Sequence, residues 1–498
     1  MTLHRYVHQC YRDSVSLMQF SRSLEGQPGI TDASAVMATG ANLALLRESG
    51  LLTQALEARP DDLLLLLSGP GVTEAALEAA EARLRKPEGP AGPEITQEAP
   101  GSSAEARGRD PELNFALVSV PGAYAAAEAL KALAAGLHVM LFSDNVSVEH
   151  EVFLKDEARR RGLLLVGPDC GTSIVNGVPL GFANQVRRGP VGVVSASGTG
   201  LQEVSSLLDR WGSGVSQAMG TGGRDLKDAV GGRATLACLD VLEADPMTRV
   251  LLLVSKPPGA GVRPLLDERL ARFTKPVVTC YIGDSGSPSL ARAARQAFVA
   301  AEGKEPREDL SALPANPPLV LSSGRWLRGL YSGGTLCAEA AFRAAGILGE
   351  VRSNVAVPRV LPLGDPWTSV GHTLVDLGED EFTRGRPHPM IDQSLRLERL
   401  AREAADPATA VLLADLVLGF GAHPDPAEEL ASFVAALPAR PDGTRVPVAV
   451  SVTGTDGDPQ GWSRSLGVLR RAGLAAFGSH IEAVEAALNG LRLLQEQL

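Results

Sequence analysis

Short runs of unbroken apolar residues alternate along this chain with stretches in which apolar residues recur every three or four positions. Residues 191–212, VGVVSASGTGLQEVSSLLDRWG, hold both patterns. Val191 to Val194 reads as a short buried strand, and Leu201, Val204, Leu207 and Leu208 then fall at helical spacing. The same alternation predicts strands over 33–39, 62–67, 114–120, 138–143 and 163–168 in one sheet, with helices over Ala41–Glu48 and Glu149–Arg161. A second series begins at Gly189-Pro190, with strands over 191–195, 234–240, 250–255 and 276–282. A third follows the Pro-rich link 306–324. It opens with a helix after 329–336, continues through strands 372–378, 410–419 and 447–454, and ends on an amphipathic helix from Ile481. Strands separated by helices imply an α/β fold with parallel sheets, whose ligands sit at the carboxyl ends of strands. Three domains are expected, over 1–188, 189–324 and 325–498. The first is interrupted by 85–112, which is rich in Pro, Gly, Glu and Ala, lacks periodicity and reads as a flexible insertion.

Composition narrows the function. A chain of 498 residues is too long for one core, and 53 glycines with only 4% aromatic residues suit many tight strand–helix turns. A net charge of −11 without a basic run argues against nucleic acid or an acidic membrane surface as partner. The opening MTLHRYVHQCYRDSVSL has no continuous apolar core, and the run Leu63 to Leu67 is too short to span a bilayer, so a cytoplasmic protein is expected. Five scattered cysteines without CxxC spacing fit reduced thiols, and the dispersed histidines suggest no metal site.

The candidate chemistry lies in four turns rich in backbone donors. Ser195-Ala196-Ser197-Gly198-Thr199-Gly200 leads straight into a helix, whose unpaired N–H groups and partial positive charge suit phosphate or carboxylate. The plain alternative is that these residues only cap a helix. YSGGTLCAEA (331–340) repeats the arrangement with Ser332, Gly333, Gly334 and Thr335, and two such starts on different domains would clamp one dianion. MGTGGRDLKD (219–228) sets Gly222 and Gly223 before Arg224 and Lys227. VGPDCGTSIVNG (166–177) places Cys170, Gly171 and Thr172 after a strand; Cys170 reads either as a nucleophile or as a buried inert thiol. Lys256, after the strand 250–255, is placed to hold an anion or is a surface lysine. His372 and His388 are candidates for acid–base work or ordinary loop histidines. Asp376, Glu379, Asp380 and Glu381 read as a solvated acidic loop.

Residues 136–177, GLHVMLFSDNVSVEHEVFLKDEARRRGLLLVGPDCGTSIVNG, with the 189–228 stretch GPVGVVSASGTGLQEVSSLLDRWGSGVSQAMGTGGRDLKD, resemble the α subunit of succinyl-CoA synthetase. GLYSGGTL, HTLVDLGEDEF, LADLVLGFGAHPD and PVAVSVTGTDGD resemble the carboxyl-terminal domain of that enzyme's β subunit. The start, YRDSVSLMQFSRSLEGQPGITDASAVMATGANLALL, resembles the FdrA family, which joins these pieces in one chain. The resemblance spans nearly the whole length. It implies a Rossmann-like, CoA-binding-type domain followed by two flavodoxin-like domains of the synthetase type. The departures are equally specific. Where the synthetases carry a phosphohistidine in a GHAGA-type turn, VVTCYIGDSGSPSLARAARQAF (277–298) has no histidine. Lys256 stands where a supporting glutamate is usual. No ATP-grasp domain is visible, and ATGANLALL (38–46) has too few glycines for the usual CoA-binding fingerprint.

The resemblance implies a component of the oxamate carbamoyltransferase of purine (allantoin) breakdown, interconverting oxalurate plus phosphate with oxamate plus carbamoyl phosphate. Phosphate or carbamoyl phosphate is then a substrate, CoA is doubtful as a ligand, and Arg224, Lys227 and Lys256 neutralise developing charge. Partner subunits encoded nearby, a carbamate kinase in the pathway and an oligomeric assembly are expected with it. Two alternatives stand beside this reading. One is an acyl-CoA synthetase or succinate–CoA ligase-like protein needing a nucleotide-binding partner; the other is a non-catalytic scaffold subunit.

Overall fold

The protein is described by a computed structural model, which covers residues 2–497 except 9, 11, 13, 26, 40–41, 44–45, 48–51, 53–58, 60–61, 86–98, 309, 322, 384–385 and 441–442. The chain forms two compact units: residues 1–111 with 380–392, and residues 112–379 with 393–498.

In the first unit, strands β1 (Thr2–Val7), β2 (Asp32–Met37) and β3 (Leu63–Ser68) pair antiparallel in the order β1-β3-β2. Leu63, Leu65 and Leu67 face Leu17, Phe20 and Leu24 of helix Ser14–Glu25 and Leu77 and Leu84 of helix Glu74–Leu84, while Leu64 and Leu66 pack with Ala38, Leu43 and Leu52. The central strand is therefore buried on both faces. This corrects the expectation that 33–39 and 62–67 run parallel in one sheet with 114–120: an unbroken apolar run reports two covered faces, not strand direction. The expected helix Ala41–Glu48 and residues 86–98 of the insertion lie partly or wholly outside the described residues. Residues Ser103–Arg109, expected to be aperiodic, form a helix capped by Ser102, whose Oγ accepts the Glu105 N–H.

The second unit is α/β with three sheets. Strands β4 (Phe115–Val118), β5 (His138–Leu141) and β6 (Leu165–Val166) run parallel, connected by helices Gly122–Ala134 and Val148–Arg160. Strands β7 (Thr172–Val175), β8 (Val178–Gly181), β9 (Arg188–Ser195), β10 (Val215–Gly220), β11 (Val250–Ser255) and β12 (Val277–Tyr281) make a six-stranded sheet ordered β12-β11-β9-β10-β7-β8, parallel from β12 to β10. Strands β13 (Trp326–Tyr331), β14 (Val351–Ser353), β15 (Leu361–Pro362), β16 (His372–Asp376), β17 (Thr409–Val417), β18 (Val448–Thr453) and β19 (Ala475–Phe477) make an all-parallel sheet ordered β15-β14-β16-β13-β17-β18-β19.

One expected strand is a helix. Residues 234–240 lie in helix Arg233–Ala244, where Ala234, Cys238, Leu239 and Leu242 are buried at helical spacing that a seven-residue window truncates. The strand on that side of the sheet is β10, hidden in the sequence by Ser216 and Gln217; Ser216 is buried with its hydroxyl bonded to Thr248 Oγ1 at 2.6 Å. No helix among the described residues is long and apolar enough to cross a membrane.

Two sheet centres fix the rest. β9 lies between β10 and β11, and β13 lies between β16 and β17, so each sheet reverses its winding at the strand that feeds a Gly-rich turn. Ligands of open parallel sheets gather at that reversal. The two sheets are joined by a polar seam. Asp458 Oδ2 accepts from Asn184 Nδ2 at 2.8 Å and from the Thr455 N–H at 2.8 Å, and Oδ1 accepts from the Gln185 N–H at 2.7 Å. Arg210 donates to the Gly454 and Gly478 carbonyls and stacks on Trp462. Asp458→Ala would remove three hydrogen bonds, leaving the buried Thr455 N–H without its described acceptor, and a loss of about 3 kcal/mol is expected, read as a lower denaturation midpoint of the full chain.

Candidate functional site

The turn after β9 folds on its own hydroxyls. Ser195 Oγ donates to the Ser197 carbonyl at 2.7 Å and accepts the Ser197 N–H at 3.1 Å. Ser197 then caps helix Gly198–Arg210, its Oγ accepting the Gly200 N–H at 3.0 Å. The turn after β13 is built differently. Ser332 gives its N–H (2.8 Å) and its hydroxyl (3.0 Å) to Asp415 Oδ1, and Gly333 caps helix Gly334–Leu348 with no side-chain hydrogen bond.

These two helix starts meet. Ser197 Oγ hydrogen-bonds Thr335 Oγ1 across the seam. A Cβ on Gly333 would lie 2.7–2.9 Å from Thr199 side-chain atoms, and one on Gly200 would lie 3.2 Å from Thr335 Cγ2. Glycine at 333 is what lets the turns touch. Two positive helix ends placed together repel, and a negative group beside them relieves that repulsion.

Beneath the turns, the helices are stapled by His480. Its N–H donates to Glu203 Oε1 at 2.8 Å on the first helix, and its Nδ1 lies 2.6 Å from Glu339 Oε2 on the second. Glu339 Oε1 also accepts the Leu290 N–H at 2.7 Å, and the Thr453 hydroxyl binds Glu203 Oε2. The staple is fully buried, and desolvation pushes the Glu203 carboxyl up from its ordinary value.

The carboxyl end of β16 adds a group the sequence reading placed in solvent. Asp376 is 4% exposed. Its Oδ1 accepts the Gly378 N–H at 2.9 Å, and Oδ2 lies 2.5 Å from where a Gly334 Cβ would stand, directly over the second helix start. Burial raises its pKa to about 7, with the nearby Glu379 and Asp415 charges adding to the rise and Lys256 opposing it. Lys256, exposed after β11, is thus close enough to act on Asp376. Asp376 ends an apolar parallel strand, whereas Glu379, Asp380 and Glu381 follow it.

The other candidates divide. Thr172 sits beside the first turn, its Oγ1 3.1 Å from the Cβ position of Gly198 while it donates to the Phe182 carbonyl. The carbonyl of Gly171 accepts the Phe182 N–H. Gly222, at φ +88°, lets the 219–228 loop approach the Pro168 carbonyl, and Gly223 is exposed. Arg224 is not free to neutralise substrate charge: it donates to the Val146 carbonyl and pairs with Glu151, itself bonded to the buried Lys155 and through it to Asp225. Asp225 and Asp228 accept the first N–H groups of helices Arg233–Ala244 and Val262–Ala271, so this loop is a capping device. Lys227 is exposed, with no described bond to the helix starts. Cys170 is buried, donates to the Gly220 carbonyl at 2.9 Å and is pushed up to about 11, which makes it an inert thiol. His372 begins β16, roughly 13 Å of strand from Asp376. It accepts the Leu327 N–H, and burial with Arg328 and Arg325 holds it down at about 4, so acid–base work at the helix starts is excluded for it. His388 belongs to the first unit, where its Nδ1 accepts the Met390 N–H.

Because folding raises the Asp376 pKa from 3.8 to about 7, the folded chain holds that proton more tightly than the unfolded one. The associated stability is complete below about pH 4 and is lost as pH rises to about 7, a swing of about 4 kcal/mol. Asp376→Asn is therefore expected to raise the melting temperature at pH 8 and leave it nearly unchanged at pH 4, which thermal scans of the full chain at both pH values check.

Residues 330–489 match the CoA-ligase family, and residues 1–100 match the AllF, heavy metal-associated domain. The α subunit of ADP-forming succinate–CoA ligase from Aquifex aeolicus (strain VF5) is 29% identical over 181 residues, 35% of this chain and 58% of that subunit. An Archaeoglobus fulgidus counterpart is 28% identical over 184 residues, 36% and 62% of the two chains. The present chain thus spans about three fifths of these subunits. Among solved structures, the dinucleotide-forming acetyl-coenzyme A synthetase 1 of Ca. Korarchaeum cryptofilum, in complex with phosphate and ADP, aligns at TM-score 0.33 and 15% identity, over 82% of this chain and 88% of that one. Cys10 is the single cysteine of residues 1–100, His8 Nδ1 is bonded to Asp62 Oδ1 at 2.8 Å, and no three His, Cys, Asp or Glu among the described residues are grouped to hold an ion. The protein YahF of Escherichia coli (strain K12), itself uncharacterized, is 40% identical over 489 residues, 94% of each chain, and this protein belongs to the same family.

Proposed function

We propose that the chain is an FdrA-type subunit of an oxamate carbamoyltransferase, interconverting oxalurate plus phosphate with oxamate plus carbamoyl phosphate in purine (allantoin) breakdown. The observation that supports this reading is the meeting of two helix starts, Ser195–Gly200 and Ser332–Thr335, each at the winding reversal of its own sheet. Paired positive ends favour a dianion such as phosphate. In the 277–298 turn, where the resembling synthetases carry phosphohistidine, Ser287 Oγ accepts the Tyr281 N–H and Ser289 caps helix Leu290–Glu302. With no histidine there, phosphate itself is the nucleophile. It attacks the carbamoyl carbon of oxalurate, a C–O bond forms, the C–N bond to oxamate breaks, and the departing nitrogen takes a proton. Lys256 at the rim offsets the charge that develops on the attacked oxygen. In this reading the chain works in the cytoplasm with partner subunits, and a carbamate kinase uses the carbamoyl phosphate.

A second reading is favoured by the CoA-ligase match over residues 330–489: an acyl-CoA synthetase-type subunit completed by a nucleotide-binding partner. Calorimetric titration of the full chain with carbamoyl phosphate, and with CoA in parallel, separates the two. Carbamoyl phosphate is expected to bind without CoA, Lys256→Ala to weaken it roughly tenfold, and Gly198→Val, which drives a side chain against Thr172, to abolish it. Binding of CoA alone would replace this reading with the second, and binding of neither would leave a scaffold.

A further inference from the structure

The geometry points to Asp376 as the proton-donating ligand of the anion held at the start of helix Gly334–Leu348, and as the group that hands a proton to the departing nitrogen. This role rests on the carbamoyl-transfer reading above and adds to it the residue that manages the proton.

Three features place Asp376 there. Its carboxyl stands over a helix start that has no side-chain cap, and only a glycine at 334 leaves room for it. Its Oδ1 is committed to the Gly378 N–H, and its backbone is locked by Asn354, which accepts the Asp376 N–H at 2.9 Å and donates to its carbonyl at 2.9 Å. The residue is 4% exposed, and Oδ2, which receives no hydrogen bond among the described residues, lies against the helix start at Gly334. A carboxylate beside an unpartnered helix start would ordinarily cap it; this one is held alongside, where an anion bound to the amides would meet it.

The surroundings keep the proton on. Glu379 from the same loop and Asp415 from β17 are the acidic groups that act on Asp376, and Lys256 after β11 is the cation. Asp415 is itself buried, with Oδ1 taken by Ser332 and Arg396 and Oδ2 unbonded, so it adds negative potential from behind. The Cys337 thiol, on the facing helix, is pushed up by burial and stays protonated. A carboxyl titrating near neutrality is matched to general acid–base work.

Protonated Asp376 donates a hydrogen bond to a phosphate oxygen and, as the C–N bond of oxalurate breaks, its proton passes to the oxamate nitrogen. The carboxylate left behind recovers a proton from the P–OH of the hydrogen phosphate that has become carbamoyl phosphate. Hydrogen phosphate and oxalurate carry three negative charges together, as do carbamoyl phosphate and oxamate, and the enzyme ends the cycle as it began.

The test is calorimetric binding of inorganic phosphate to the full chain at pH 6 and pH 8, for wild type, Asp376→Asn and Asp376→Ser, with the melting temperature of each recorded. The ionisation of phosphate itself is common to all three. Wild type is expected to lose up to about tenfold in affinity from pH 6 to pH 8 relative to both variants, because only wild type gains a repelling carboxylate. Identical pH profiles in wild type and either folded variant would remove Asp376 from the site and leave the carbamoyl-transfer reading intact. No phosphate binding by wild type at pH 6 would overturn that reading, and this inference with it.

Discussion

The architecture of the larger unit turns on holding two positive helix ends in contact. Helices Gly198–Arg210 and Gly334–Leu348 leave the central strands of separate sheets and meet at Ser197 and Thr335, where like partial charges repel. The counterforce is the buried staple around His480, which binds Glu203 on one helix through its backbone and Glu339 on the other through its ring. The Asp458 seam does the same work at the next strand ends. The first of these starts is capped by Ser197 and the second has no side-chain cap. The polar staple fixes their register, because each of its members has a hydrogen-bond partner on a different element.

Asp376 belongs to the same logic. A carboxyl buried at a strand end costs stability whenever it is ionised, and β16 could have ended on an apolar residue at no loss to the sheet. The chain instead keeps an acid there and clears space for it with Gly334. An acid that is unfavourable for folding when ionised, placed at the strand end beside the winding reversal at β13, is a candidate for a functional role.

Much of this was legible in the sequence, and the misses have identifiable causes. The turns after Val194 and Tyr331 were readable because a strand, a small-residue break and a helical repeat follow one another directly. That they would meet rested on both being strand ends of parallel sheets. The direction of 62–67 was not readable, since Leu63 to Leu67 is buried on both faces in either kind of sheet. Arg224 looked like a free cation because its partners, Glu151 and the Val146 carbonyl, are supplied by a distant helix and its entry turn. His372 and Asp376 bound one five-residue strand, and strand polarity alone separates them: Asp376 ends β16 beside the second helix start, and His372 begins it at the opposite end.

Whether the two helix starts form one anion site is read most directly from a crystal structure of the full chain with phosphate at saturating concentration. One phosphate is expected, its oxygens accepting N–H groups from both the Gly198–Gly200 and the Gly334–Leu336 turns, with Asp376 at its side. Phosphate bound elsewhere, or helix starts still closed on each other by Ser197 and Thr335 with no anion between them, would contradict that expectation.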